Sequence, residues 1–339
     1  MAVADDKIKE ITKDVVKESF FKFFLCRKDV QTRHILLYRM FPAESNIRSV
    51  MGGLETSLGT TLWERIAKRL AVENGFTVLD PKIDFLQPKH SPEAVRNLIA
   101  EHKDRREVPQ VNVPISIFTA SLTTLVSNIP ASKVPTEFIK LTKGSGVDVF
   151  IRKGNTEYAF DLKTVQINAG SGTKFNETLM KWIAFRALHQ RHLGSSFNFN
   201  AHIVIPYDPH TDSNWWAEFG ERAYPLDHSD IKLGDEFWNL LSGRQNTLSL
   251  ITKAFDDLCS EHFNDIYLKC FHSSGVDVGI DLLDQVANVT CLSQNIDTNT
   301  TFTSKLSWRC KSCNHQFIQS IKWFESIRSC GQCAAKFFS

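Results

Sequence analysis

Apolar residues recur every three or four positions in several parts of the chain, which is the spacing of an amphipathic helix. This pattern predicts helices over residues 7–25, 57–73, 175–192 and 235–260. Gly75 follows the second of these segments, at a position where helices commonly end. Each segment also carries charged residues on its other positions, so each predicted helix has one face to bury.

Between the second and third predicted helices, the spacing of apolar residues changes to a period of two. Residues 147–151 alternate, Gly154 and Asn155 form a turn signal, and residues 158–165 resume an extended run. This order predicts a β-hairpin. The apolar run 201–205 predicts a further strand, so the elements follow as helix, hairpin, helix, strand, and the fold class is α/β.

Two regions break these patterns. Seven prolines and the charged run 101–107 fall within residues 80–145, which predicts irregular connections with one short helix and therefore an insertion. Residues 286–339 predict short strands and turns around four cysteines.

The composition changes the picture only slightly. A chain of 339 residues with 42% hydrophobic residues favours one large core and a small appended module. A net charge of +2 neither requires nor excludes a polyanionic partner. The chain lacks a long apolar run and begins without the pattern of a signal peptide, so we expect a cytoplasmic protein without a membrane segment.

The hairpin carries a set of residues suited to phosphodiester chemistry. Asp148 lies on its first strand, with Asp161 and Lys163 on the second. Residues two apart on a strand share a face, and Asp148 can join them from the neighbouring strand. Paired carboxylates hold Mg²⁺, and an adjacent lysine can orient or deprotonate water.

An ordinary solvated sheet face is the alternative, because acidic residues at strand ends are common. The surroundings argue against it: Asp161 and Lys163 stand in an otherwise apolar run, where unpaired charges cost several kcal/mol, roughly. The glycine-containing run 144–146 before Asp148 permits a close approach to a ligand.

The C-terminal cysteines form two C-x2-C pairs, Cys310 with Cys313 and Cys330 with Cys333, separated by residues 314–329. Two such turns complete a closed tetrahedral Zn²⁺ site. The segment resembles a zinc ribbon. Its lysines and arginines favour contacts with phosphate or with bases, although purely structural stapling stays open.

The hairpin motif resembles that of the PD-(D/E)XK nuclease superfamily, since SGVD at 145–148 and FDLKT at 160–164 match its two halves. Val147 stands where a proline often precedes the first aspartate. The resemblance implies a restriction-endonuclease-like core, a mixed sheet flanked by helices, with Asp148 and Asp161 as Mg²⁺ ligands and Lys163 as a catalytic residue.

More of the chain, about residues 30–220, is similar to the TdeIII-type restriction endonucleases. The segment GLETSLGTTLWE at 53–64 and the run IVIPY at 203–207 carry this resemblance beside the hairpin motif. It implies a prokaryotic homodimer that cuts duplex DNA at a short GC-rich palindrome. It also suggests Glu64 as an added active-site carboxylate, with Glu55 and a merely solvated Glu64 as alternatives.

The sequence therefore predicts a catalytic domain over 1–265, with its insertion at about 80–145, and a C-terminal region over 266–339 with a four-cysteine zinc ribbon at about 303–339. We expect a type II restriction endonuclease with catalytic Mg²⁺ and structural Zn²⁺, which acts on double-stranded DNA beside a cognate methyltransferase. A structure-specific repair or recombination nuclease and a non-cleaving zinc-ribbon DNA-binding protein remain alternatives.

Overall fold

A computed structural model gives the fold of the chain. The residues that it describes are 2–25, 39–108, 113–142, 144–163, 167–168, 170–210, 214–272, 276–294, 296, 300–325, 330 and 333. The outer part of the predicted ribbon, around its second cysteine pair, lies mostly outside the described residues.

Helices and strands alternate along most of the described chain. The helices are α1 Asp5–Leu25, α2 Pro42–Leu58, α3 Glu64–Glu73, α4 Pro81–Asp84, α5 Glu93–Arg106, α6 Ile115–Asn128, α7 Ser171–Leu193, α8 Trp215–Ala223, α9 Asp235–Ser242, α10 Thr247–Ser260, α11 Leu268–His272 and α12 Val276–Val286. The strands are β1 Thr77–Leu79, β2 Leu86–Pro88, β3 Phe138–Lys140, β4 Val149–Lys153, β5 Thr156–Leu162, β6 Asn198–Ile205, β7 Ile231–Leu233, β8 Val289–Cys291, β9 Lys305–Cys310 and β10 Gln316–Ser320. A π-helical turn, Gly59–Trp63, joins α2 to α3.

The central sheet is mixed, with strand order β1-β4-β5-β6-β7. Strands β1 and β5 both run antiparallel to β4, whereas β6 lies parallel to both β5 and β7. The predicted hairpin is β4–β5, with Gly154 at positive φ in its turn, and the predicted helix and strand after it are α7 and β6. The α/β class and the predicted element order are therefore confirmed.

The chain packs as two compact units, residues 1–11 with 63–251, and residues 12–62 with 252–339. The first unit contains the central sheet, and the second contains a three-stranded sheet of order β10-β9-β8. The predicted functional division near residue 265 stays a prediction.

Helix α7 packs on one face of the central sheet and forms much of the core of the first unit. Its buried Leu179 and Trp182 pack in one cluster with Phe150 and Ala159 of the hairpin. Gly172 allows α7 to approach the chain after α8, because a Cβ there would lie 2.0 Å from the carbonyl oxygen of Tyr224. Glycine is thus required at this contact.

A buried ion pair fixes α7 against the hairpin. The Arg186 guanidinium donates from Nε and Nη2 to the two carboxylate oxygens of Glu157, both at 2.6 Å, and the Glu157 side chain is fully buried. A bidentate contact of this kind also fixes orientation.

The region 80–145 differs from its prediction. It contains two fourteen-residue helices, α5 and α6, where the prolines predicted mainly irregular chain. Pro92 and Pro114 occupy the N-cap positions of these helices, where the missing N–H costs nothing. Proline here starts helices and does not break them.

The second unit has an aromatic core. Phe24 stacks on Tyr267 at a ring-centroid distance of 4.9 Å, and Trp308 meets Phe324 edge-on at 5.1 Å. Within the described residues, none of the helices combines the length and the apolar character that a bilayer crossing requires.

Removing one member of the buried pair should destabilise the protein strongly. We expect Glu157→Ala to lower the free energy of unfolding by about 3–5 kcal/mol, because the charge of Arg186 would stay buried without a carboxylate partner. Urea unfolding followed by tryptophan fluorescence measures this loss. The matched control is Glu137→Ala, which breaks an exposed pair with Lys89 and should cost at most about 1 kcal/mol. Equal losses in the two variants would contradict the assignment.

Candidate active site and metal centre

The register of the hairpin brings the two predicted aspartates together. Val149 pairs with Phe160 at the start of β4, which brings Asp148, the residue before the strand, close enough to Asp161 for the two carboxyl groups to interact. The Asp148 amide donates to the Phe160 carbonyl oxygen at 2.9 Å, and its Oδ2 accepts from the Leu162 amide at 2.8 Å. Asp148 is thereby held in place at both its backbone and its side chain.

Lys163 lies beside Asp161, as residues two apart on a strand should. Its Nζ donates to Oδ1 of Asp161 at 2.6 Å, and the Asp161 side chain is only 11% exposed. Burial raises the pKa of the Asp161 carboxyl to about 7; the Lys163 charge opposes this rise, and the Asp148 charge adds to it. The single positive charge of Lys163 therefore neutralises the two carboxylates of Asp148 and Asp161 only in part.

Phe175, near the start of α7, completes the surroundings of Lys163. Its ring centroid lies 5.4 Å from the lysine Nζ, within the range of a cation–π contact. The sequence predicts a helix from this residue onward but gives no signal for the contact, because tertiary packing alone brings Phe175 and Lys163 together.

Glu64 begins α3 and is held by Lys68 one turn later, with Nζ to Oε2 at 2.9 Å. Burial raises the pKa of Glu64, the Lys68 hydrogen bond opposes the rise, and the negative charge of Asp148 adds a smaller increase. Glu64 therefore lies within electrostatic range of Asp148. Glu55, the alternative, is exposed on α2.

The donor set at the end of the hairpin fits a hard divalent cation. Asp148 and Asp161 offer carboxylate oxygens, the ligands that Mg²⁺ prefers. The raised pKa of Asp161 reflects a buried negative charge that an additional cation would stabilise. Lys163 supplies a positive group beside the same carboxylate.

The four predicted cysteines form a second candidate centre. The Sγ atoms of Cys310, Cys313, Cys330 and Cys333 all lie within 4.8 Å of one another, with Cys310 to Cys333 at 3.7 Å and Cys313 to Cys330 at 3.4 Å. Thiolates about 2.3 Å from a tetrahedral Zn²⁺ are separated by roughly 3.8 Å. A disulfide needs about 2.05 Å. The cluster thus fits a four-cysteine zinc ribbon and not a pair of disulfides.

The structure therefore brings together Asp148, Asp161 and Lys163 at one site and the four cysteines at another, as the spacing predicts. The buried Glu157–Arg186 pair was missed at the sequence level. Glu157 shares the face of Asp161 on β5, and only its partner from α7 distinguishes its structural role.

Comparison with known protein families matches residues 4–259 to the family described as type II restriction endonuclease, HinfI. No curated protein and no solved structure matches the chain. The match spans the candidate active site and ends before the cysteine cluster.

The raised pKa of Asp161 should make the stability of Mg²⁺-free protein depend on pH. Between its ordinary pKa of 3.8 and about 7, the folded state keeps a proton that the unfolded state has lost, so this group favours folding at low pH and progressively less as the pH rises. We expect Asp161→Asn to become more stable relative to wild type between pH 5 and pH 8, approximately the range of this titration. Urea unfolding in Mg²⁺-free buffer tests this.

The exposed Asp104 on α5 provides the control for this titration. Asp104→Asn should follow the wild-type pH profile. A constant difference between wild type and Asp161→Asn across this range would contradict the prediction.

The cysteine cluster predicts bound zinc in the purified protein, about one ion per chain by elemental analysis. Cys330→Ser should lower the zinc content to background, because only three thiolates would remain. Cys259→Ser removes an exposed thiol outside the cluster and should leave the zinc content unchanged. The assignment would be contradicted by wild-type protein that contains no zinc and whose four cluster cysteines are free thiols.

Proposed function

Because this chain belongs to the HinfI family of type II restriction endonucleases, and is thus a site-specific deoxyribonuclease that acts on double-stranded DNA, we propose that Asp148, Asp161 and Lys163 form its hydrolytic centre. The observation that carries the proposal is the closeness of two carboxylates at the open end of the β4–β5 hairpin, with a lysine ammonium 2.6 Å from the more buried one.

Each side chain has a separate task in this proposal. Asp148 and Asp161 would hold Mg²⁺, which would neutralise charge developing on the phosphoryl oxygens. Lys163 orients the attacking water as an ammonium group, or accepts its proton as a neutral amine after giving up its own, and its contact with Asp161 keeps Nζ at the site. Phe175 covers the other side of the lysine.

Glu64 adds a third carboxylate in this proposal, in preference to Glu55. Its half-buried side chain and the influence of the Asp148 charge support this choice. Lys68 neutralises Glu64 in the metal-free protein and would release it to a cation or a water molecule.

The finer properties follow from the family and from the TdeIII-type resemblance. We propose a homodimer, because each centre would cut one strand and a palindromic site mirrors two-fold symmetry. The TdeIII-type resemblance supports a short GC-rich, interrupted palindrome, and a restriction enzyme requires a cognate methyltransferase to protect host DNA. The cluster of four cysteines would hold structural Zn²⁺.

Cleavage of unmodified plasmid and phage DNA tests the proposal directly. Wild type with Mg²⁺ should give discrete fragments with one shared end sequence, which also reveals the base composition of the site. Asp161→Asn should weaken the Mg²⁺ site and Lys163→Met should remove the positive charge beside the reacting phosphate, so each should lower the cleavage rate by at least about a hundredfold.

Asp104→Asn is the matched control, since it removes an exposed carboxylate, and it should cut at the wild-type rate. Full activity of Asp161→Asn would contradict the assignment of the centre. Cleavage of branched or mismatched DNA only would favour a repair nuclease, and binding without cleavage would favour a DNA-binding protein.

A further inference from the structure

The three-stranded sheet of the second unit has one buried and one exposed face. Leu306, Trp308 and Cys310 of β9 point into the core of the unit. The alternate residues Lys305 and Arg309 are exposed. On β9, only one face is therefore packed into the core of the unit.

The exposed face continues onto β10 by the strand register. Gln316 lies opposite Arg309, Ile318 opposite Ser307, and Ser320 opposite Lys305. Ile318 is 63% exposed, which is unusual for a β-branched apolar side chain in the middle of a strand. We define these six residues as the ribbon face.

The charge of the ribbon face is positive. Lys305 and Arg309 have no acidic partner among the residues that the structure describes. On the neighbouring strand β8, Thr290 donates a hydrogen bond to the carboxylate of Asp284. This carboxylate is itself paired with Lys311, whose Nζ lies 2.8 Å from Asp284 Oδ2. The other members of the face are hydroxyl, amide or aliphatic groups.

This chemistry suits duplex DNA. The major groove admits a two-stranded β-ribbon, and β9 and β10 form such a ribbon along five paired positions. Arginine and glutamine hydrogen-bond to base edges, an aliphatic side chain can contact a thymine methyl group, and lysine and serine can contact phosphate. The ribbon face presents these groups together.

We propose that the ribbon face is a DNA-contacting surface of this enzyme, through which the zinc ribbon enters the major groove of the substrate. The inference rests on the proposed function in taking duplex DNA as the substrate, but it concerns residues far in sequence from the catalytic hairpin. It assigns the ribbon a binding role in addition to stapling.

Opposite charges at one exposed position give the sharpest test. Fluorescence anisotropy would measure binding of zinc-loaded Asp161→Asn protein, which binds without cutting, to a duplex that wild type cleaves. On this background Ile318→Glu should weaken binding at least about tenfold by repelling phosphate, whereas Ile318→Lys should bind as well as its parent or more tightly. Ile318 is exposed, so both variants should fold, and zinc content checks this.

Lys305→Ala should weaken binding and lower the slope of log affinity against log salt by about one, the effect of losing one phosphate contact. The matched control is Lys17→Ala with Lys253→Ala, which removes two positive charges from the surface of the same unit outside the ribbon face. This control should change affinity less than about twofold if the effect is local.

Equal affinity of Ile318→Glu and Ile318→Lys, whether unchanged or equally weakened, would overturn the inference. If the unmodified protein neither cuts nor binds duplex DNA, the proposed function fails instead. The two failures are therefore distinguishable.

Discussion

The antiparallel register between β4 and β5 is the constraint on which the candidate active site depends. It brings Asp148, the residue before β4, next to Asp161, and it sets Asp161 and Lys163 on the sheet face that α7 covers. A slip of one residue would turn one strand's side chains to the opposite face and separate the carboxylates. The turn at Gly154 and the burial of both hairpin faces oppose such a slip.

The same face of β5 carries two buried acidic residues whose charged surroundings differ. Glu157 receives two hydrogen bonds from Arg186 and is fully compensated, so it can only hold α7 in place. Asp161 is buried with only one lysine beside it and a second carboxylate nearby, so burial and then the Asp148 charge raise its pKa to about 7. The degree to which each negative charge is neutralised therefore distinguishes Glu157, the structural acid, from Asp161, the candidate catalytic acid, although both lie on one strand.

The predictable parts of this arrangement are those that depend on residues close together in the sequence. Alternation over 147–165 specifies the hairpin, and strand geometry then brings Asp148 to Asp161 and Lys163. The contacts of α7 with Glu157 and Lys163 join residues distant in sequence, so only packing could reveal them. In residues 80–145 a local signal was misleading, because proline disrupts a helix interior but is compatible with its first turn.

The cluster of four cysteines would let a metal ion stabilise a small sheet. A sheet of three short strands buries little apolar surface on its one packed face, and so small an element commonly needs a staple such as a structural metal. Four clustered thiols would supply a crosslink at one end once they hold a metal, and Trp308 with Phe324 fills the inner face. On β9 and β10 the outer face makes no such core contact, and exposed Ile318 between Lys305 and Arg309 is better explained by an external partner than by stability.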